Sequence, residues 1–563
     1  MARNLAWNGG PIKAAVLASR LPHPPRCCEI VKVVHESVKA RRGMVAAPHV
    51  VAAQAGRDVL AEGGNALEAA VAAAAAIVVA YPHMNHLGGD GFWLFREPSG
   101  KVRYIEAAGY AGARATQAFY RERGHEKIPE RGPLAALTVP GAVGGWMLAL
   151  EAARALGGRM PLRRLLEPAI ALARAGTNVS RSQAWRFTTE RGAAIEAPGF
   201  AATYLVDGKP PSVGTVLPTG RLADTFEQLA RAGLDDFYRG EVGREIAADL
   251  EKIGSPITRA DLDRYRAVWR EPLTLRLRAG TLHNSPPPTQ GLVALLILGV
   301  HERLGIGEAE GFDHLHGLIE ATKRAFRVRD RAITDFDRLK HDPSSFLAAE
   351  ALDGETRAVD RTRAAPWPEP AGKGDTVWLG AADAAGLVVS YIQSLFWEFG
   401  SGCVLPRTGI VMQNRGSSFS LDPKALNPLE PGRRPFHTLT PALAVLADGR
   451  VMAYGTMGGE GQPQTQAAVF TRHVMYGVPL GEAIDRPRWI LGRTWGSTVT
   501  NVRLESRFAE GVVARLRQAG HPVEVLADAY TEVMGHAGAV VRHPDGTLEG
   551  GHDPRSDGGA VGV

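Results

Sequence analysis

The sequence predicts a mixed fold of helices and strands, built as one large multilayer unit or as about two to four domains. Three observations point there. The chain has 563 residues, long for a single simple core. Its composition, 45% hydrophobic and 22% charged, is that of a water-soluble globular protein. Helical patterns dominate its earlier part, whereas strand signals crowd the part after residue 376.

The same composition excludes several classes of function. The formal charge of +6, from 65 basic and 59 acidic residues, is spread without a block and reads as solvated surface, which sets nucleic acid aside as a partner. Cys27, Cys28 and Cys403 have no metal spacing and make no disulfide framework. That fits a reducing compartment and leaves the periplasm open. Pro and Arg interrupt the N-terminus through Lys39, and its best apolar run, Ala14 to Ala18, is too short for a signal-peptide core. Residues 1–42 are therefore expected to be a disordered extension, with Met44 near the natural beginning. No stretch reaches the roughly 18 uninterrupted apolar residues of a membrane span, so the cytoplasm is the default location.

From Gly43 the elements follow in order. Asn65 caps an expected helix from Ala66 to Ala80, apolar on nearly all sides and so buried between layers. The Gly-rich loop from Pro82 to Gly91 feeds a strand at Phe92 to Arg96; its glycines allow close approach of either another strand or a ligand, which makes Asn85 a candidate. A helix opens after Leu137-Thr138-Val139-Pro140-Gly141, and Leu162 to Ala175 reads as amphipathic. Residues 180–263 look helical and structural. Ser285 to Gly291, with three prolines, is a stiff turn before an apolar helix, and His314 to Thr334 is a long amphipathic helix. Beyond it a strand is expected at Ala442 to Leu446. Gly458-Gly459 precedes a helix beginning near Gln464. Such glycines can aim backbone N–H groups at a developing negative charge, or simply make a flexible strand-to-helix turn.

The chemistry is placed at Gly374-Asp375-Thr376-Val377. Thr376 follows a loop rich in Pro, Gly and charge, opens an apolar segment, and the chain turns at Ala384-Ala385-Gly386 to return as Leu387 to Leu395, the pattern of a β-hairpin. Scission before Thr376 would leave a threonine that carries its own base, because a free α-amine titrates near pH 8 and lies within reach of Oγ. The plain alternative is an ordinary strand-starting Thr.

Taken as an ordered set, Glu62-Gly63-Gly64-Asn65-Ala66, the Pro82 to Gly91 loop, Pro286-Pro287-Pro288, Asp375-Thr376, Phe399-Gly400-Ser401-Gly402, Arg434-Pro435 and Gly458-Gly459 resemble the gamma-glutamyltransferase family of N-terminal nucleophile hydrolases. The match runs from about Gly43 to the C-terminus. It implies a four-layer αββα sandwich and a precursor that cuts itself before Thr376, giving a large subunit of residues 43–375 and a small one of residues 376–563. These would stay together as a heterodimer, with further dimerisation left open. The resemblance also implies that Thr376 attacks a substrate amide, that Gly458 and Gly459 form the oxyanion hole, and that Ser394 hydrogen-bonds the nucleophile. It calls for no metal and no organic cofactor.

Departures from the family pattern bear on the substrate. The Thr-Thr-His run of true gamma-glutamyl transferases is Thr376-Val377-Trp378 here. Their carboxylate-binding arginine aligns with Ala108, with Arg114 nearby; their amine-binding acid aligns with Ser418, and their Ser-Ser pair with His437-Thr438. A pocket without those clamps should bind a free glutamyl group poorly. The remaining signature resembles the branch of oxamate amidohydrolases and of glutathione-hydrolase-like and cephalosporin-acylase-like proteins. There Asn85, Asn414, Arg415, His437 and Thr438 are the candidate substrate contacts, with Arg415 placed to clamp a small carboxylate. Asp553-Pro554-Arg555-Ser556-Asp557-Gly558 reads as a structural knot of charges. The expectation is a self-processing threonine amidohydrolase acting on a small amide, oxamate among the candidates. Its competitors are a working gamma-glutamyl transferase or glutathione hydrolase and an inactive scaffold.

Overall fold

A computed structural model describes residues 36–189, 195–367, 375–492 and 500–563. Two seven-stranded sheets lie at its centre. One orders its strands Gly559–Gly562, Gly43–Ala47, Asp375–Asp383, Val388–Phe396, Asp90–Arg96, Val102–Ala107 and Val268–Arg270. The other runs Val38–Ala40, Leu548–His552, Ala537–Arg542, Val451–Thr456, Ala442–Leu446, Gly280–Asn284 and Leu273–Leu277. Every pairing within these two sheets is antiparallel.

Side-chain alternation explains the layering. Along Asp375–Asp383, Val377, Leu379 and Ala381 join the core made with the helices Val50–Ala61, Ala66–Ala80 and Ala142–Ala155. Trp378 and Ala382, on the opposite face, pack with Leu443, Ala453 and Val540 of the second sheet. The far face of that sheet packs Leu282, Ala444 and Val541 against the helices Gly291–Leu304 and Phe312–Ala332. This is the expected αββα sandwich, and residues 36–563 of the described chain belong to one compact unit rather than several domains.

The Ala66–Ala80 helix forms as read. Asn65 accepts from the Glu68 N–H at 3.1 Å, Glu68 returns the bond to the Asn65 N–H at 2.8 Å, and all 15 residues are buried. The Gly-rich loop resolves in favour of a neighbouring chain segment: a Cβ at Gly88 would collide with the Val411 carbonyl, and one at Gly89 with that of Ser394. One boundary needs correction. Val38–Ala40, assigned above to the disordered extension, is a strand paired with Leu548–Gly550, because this sheet edge offers unpaired backbone groups. Residues 1–35 and most of the loop before Thr376 lie outside the described residues.

Trp378 fixes the hairpin that carries Thr376. Its indole Nε1 donates to Ser390 Oγ at 2.9 Å, and its ring fills the space left by glycines on the facing sheet. A Cβ at Gly455 or at Gly538 would overlap that ring. Toward the C-terminus, Asp553 is buried in contact with Arg488 and 3.0 Å from Arg555, the knot of charges expected there.

Candidate active site

Asp375 lies opposite Phe396 and Val377 opposite Gln393, so Ser394 and Leu395 together face the single residue Thr376. That bulge twists the strand locally and turns Thr376 out of the regular ladder. Phe396 adopts a left-handed backbone, with φ of 83°, and its N–H donates to Ser394 Oγ at 2.8 Å. Thr376 and Ser394 are both buried.

A residue absent from the sequence reading meets the nucleophile candidate. Gln462 Nε2 donates to Thr376 Oγ1 at 3.2 Å. Its amide orientation is set, because Oε1 accepts from the Thr440 N–H at 3.0 Å and from Thr440 Oγ1 at 3.2 Å. Gln462 opens the helix Gln462–Phe470, so it stands one short turn beyond the glycine pair. Gly458 and Gly459 have φ of 115° and 53°, conformations that favour glycine, and both are buried. Among the described residues no protein acceptor is placed for their amides. Gln290 holds this segment to its neighbour, donating to the carbonyls of Gly459 at 2.8 Å and Thr438 at 2.9 Å. The stiff proline turn thus presents Gln290, while the Thr289 hydroxyl is tied to Ser285 Oγ at 2.6 Å.

A second group of side chains gathers beside it. The Arg415 guanidinium lies 3.8 Å over the Phe396 ring and donates to Thr438 Oγ1 at 3.3 Å. His437 Nε2 stands 3.4 Å from Asp90 Oδ2. Asp90 Oδ1 accepts from Gly109 N–H at 2.9 Å, Gly141 N–H at 3.1 Å and Gln413 Nε2 at 3.0 Å. All of these side chains are almost wholly buried. Burial pushes Asp90 up to about 7 and Arg415 down to about 9, each shift partly offset by the other's charge. His437 is held well below the usual imidazole range by burial, then by Arg415 and Arg434.

The predicted contacts therefore divide. Arg415, His437 and Thr438 come together, whereas the Asn85 and Asn414 side chains are bonded to backbone groups and, for Asn85, to Gln393. Asn85 donates to the Ile77 and Tyr81 carbonyls at 3.3 and 2.9 Å and accepts from Gln393 at 2.8 Å, closing the end of its helix. Asn414 spans the Trp397 N–H and the Glu130 carbonyl at 3.1 and 2.8 Å, holding two loops together. Arg114 is exposed and Ala108 buried, so neither supplies a charge to this buried pocket. Among the described residues one trio, His316, Glu320 and His521, has metal-like spacing. Its members are already bonded: the imidazoles meet at 2.8 Å and Lys323 binds Glu320 at 2.7 Å.

Comparison with known proteins decides the family. The family model described as gamma-glutamyltranspeptidase matches residues 52–563. The chain belongs to the gamma-glutamyltranspeptidase family. An oxamate amidohydrolase proenzyme from Klebsiella pneumoniae is 53% identical over 94% of this chain and 100% of its own length. A glutathione hydrolase-like YwrD proenzyme from Bacillus subtilis is 38% identical, with coverage of 94% and 100%. The crystal structure of cephalosporin acylase from Bacillus halodurans matches with a TM-score of 0.86 and 33% identity, covering 96% of this chain and 99% of that one. Family, fold and the amide-hydrolase class expected from the sequence are thus borne out. Among the described residues no helix is long and apolar enough to cross a membrane.

Proposed function

We propose that this member of the gamma-glutamyltranspeptidase family cuts itself between Asp375 and Thr376 and then hydrolyses a small amide that carries a carboxylate, with oxamate the leading candidate. What supports the reading is the buried Thr376, held by Gln462 a short turn beyond the Gly458-Gly459 pair, together with the Arg415–His437 group. The proenzyme names of the relatives, and the name oxamate amidohydrolase carried by the 53% identical one, support it.

In the first reaction Thr376 Oγ attacks the Asp375 carbonyl carbon. The C–N bond breaks, its nitrogen takes up the hydroxyl proton, and an ester joins Asp375 to Oγ. Water cleaves that ester, leaving a carboxylate on Asp375 and an α-amine on Thr376. Two polypeptides result and remain folded together as one heterodimeric unit. In the second reaction that amine accepts the Oγ proton while Oγ attacks the substrate amide. The N–H groups of Gly458 and Gly459 receive the oxyanion, and loss of one such donor costs on the order of 3 kcal/mol in the barrier. The proton passes to the departing nitrogen, an acyl-threonine remains, and water releases the acid. From oxamate the products are oxalate and ammonia.

The test is an amide panel, oxamate and a chromogenic gamma-glutamyl anilide included, on processed protein beside Thr376→Ala. The variant is expected to stay one chain and to be inactive. Ordinary turnover of the anilide would favour a gamma-glutamyl transferase, and an uncut wild type with no turnover would favour a scaffold. N-terminal sequencing of the smaller polypeptide must begin at Thr376; any other start refutes the mechanism.

A further inference from the structure

Four buried side chains gather here: Asp90 Oδ2 and His437 Nε2 face each other at 3.4 Å, and His437 Nδ1, Arg415 Nη2 and Gln413 Oε1 have no hydrogen-bond partner among the described residues. Buried polar atoms are rarely left so, and a cluster of them marks a place where a ligand completes the bonding. Sheet order sets this cluster next to the nucleophile. Ser394 pairs with Thr376's strand on one side and directly with Asp90 on the other, so Asp90 is two strands, roughly 10 Å, from the Thr376 backbone.

We propose that Asp90 and His437 hold one exchangeable proton between them and, with Arg415, form the socket for the substrate's carboxylate, taking up that proton as the carboxylate enters. This rests on the carboxylate reading above and goes beyond it by assigning Asp90 as a specificity-determining residue. Charge balance is the reason. Without the proton, Asp90, neutral His437 and Arg415 sum to zero, and adding a buried carboxylate leaves one uncompensated negative charge. With the proton the socket carries +1 and the complex is neutral, which is what a site shut from water requires.

The surroundings leave this group to balance itself. Around Asp90 are the Gly109 and Gly141 amides, Gln413 and the hydroxyl groups of Tyr238, Tyr265 and Tyr391, none of them charged at neutral pH. Around His437 are the Phe92 ring at 4.9 Å, Arg415 and Arg434, and Arg434 is itself paired with Glu106 at 3.0 Å. Burial raises Asp90 to about 7, so the proton is absent from the empty socket in mildly alkaline solution and available in mildly acidic solution.

The experiment titrates processed wild-type protein with pyruvate, a monoanionic isostere of oxamate that lacks the amide. Calorimetry in two buffers of different ionisation enthalpy counts the protons taken up. Expected is uptake near one proton at about pH 8 and near none at about pH 5.5, with Kd rising about tenfold per pH unit from about pH 7 to 8, below the range in which Arg415 at about 9 loses its own charge. Asp90→Asn is expected to bind pyruvate without uptake at either pH. Binding by wild type with no uptake at the alkaline pH overturns the proton-sharing pair while sparing the carboxylate reading; uptake that persists in Asp90→Asn does the same. Failure of pyruvate to bind at all removes the carboxylate reading and this proposal with it. If Asp90→Asn does not fold, the wild-type pair of measurements decides alone.

Discussion

Replacing Arg415 by Met should separate recognition of charge from catalysis. The guanidinium is almost wholly buried, keeps one long bond to Thr438 at 3.3 Å and leaves Nη2 unpartnered, so little of the fold depends on it. A methionine preserves much of the packing on Phe396 but takes away the charge that partly offsets Asp90, so stability should hold in mildly acidic solution and fall above about pH 7, where Asp90 ionises. A substrate carboxylate would then lose a charge-assisted contact of about 1.5–3 kcal/mol, more if two N–H groups bind it. At 1.36 kcal/mol per decade, about 3 kcal/mol is on the order of 10²-fold in kcat/KM. The assay compares oxamate with oxamide, its neutral diamide, on processed wild type and variant. Oxamate should fall by that factor and oxamide by much less. Equal losses for the two, or none for either, would refute the assignment of Arg415 to the carboxylate.

Three further outcomes are expected. Gln462→Leu removes a hydrogen bond to Thr376 Oγ1 worth about 1 kcal/mol, so self-cleavage followed on denaturing gels should slow about fivefold, and Tm should fall because the Thr440 N–H loses its acceptor. Trp378→Ala empties the space between the sheets and should cost about 3–5 kcal/mol in denaturant unfolding, with slowed cleavage. Asp90 is raised in the folded state to about 7, above an unfolded value near 3.9, so the native chain binds the extra proton between those limits and stability is lost as pH rises through 7. Asp90→Asn, which cannot ionise, should therefore melt above wild type at about pH 8, the gap narrowing as the pH falls toward 5. A gap that widens on acidification would contradict this sign.

Much of the scaffold was legible because its signals are local. The 66–80 helix needed only its cap and its apolar run; the 375–396 hairpin needed only two apolar segments and a Gly386 turn with φ of 98°. The pocket was harder to read. Asp90, Gln413, Arg415 and His437 are separated by up to some 350 positions, and only sheet order joins them. Asn85 and Asn414 illustrate a different difficulty: an asparagine that ends a helix and one that holds a ligand look alike until their partners are seen. Gln462 escaped notice because Pro463 beside it marks a helix start, where a glutamine is an ordinary helix former. The Gly458-Gly459 pair just before it was the available clue.

Backbone scission ordinarily loosens a chain end, yet here the new terminus would lie only two residues from a ring keyed into the opposite sheet. The Trp378 indole acts as a peg in a socket cut from glycines, so the strand cannot slide by one residue when its upstream tether is severed. A freed amine on Thr376 would stay within reach of its own hydroxyl group and of Gln462, in the place the precursor had already prepared.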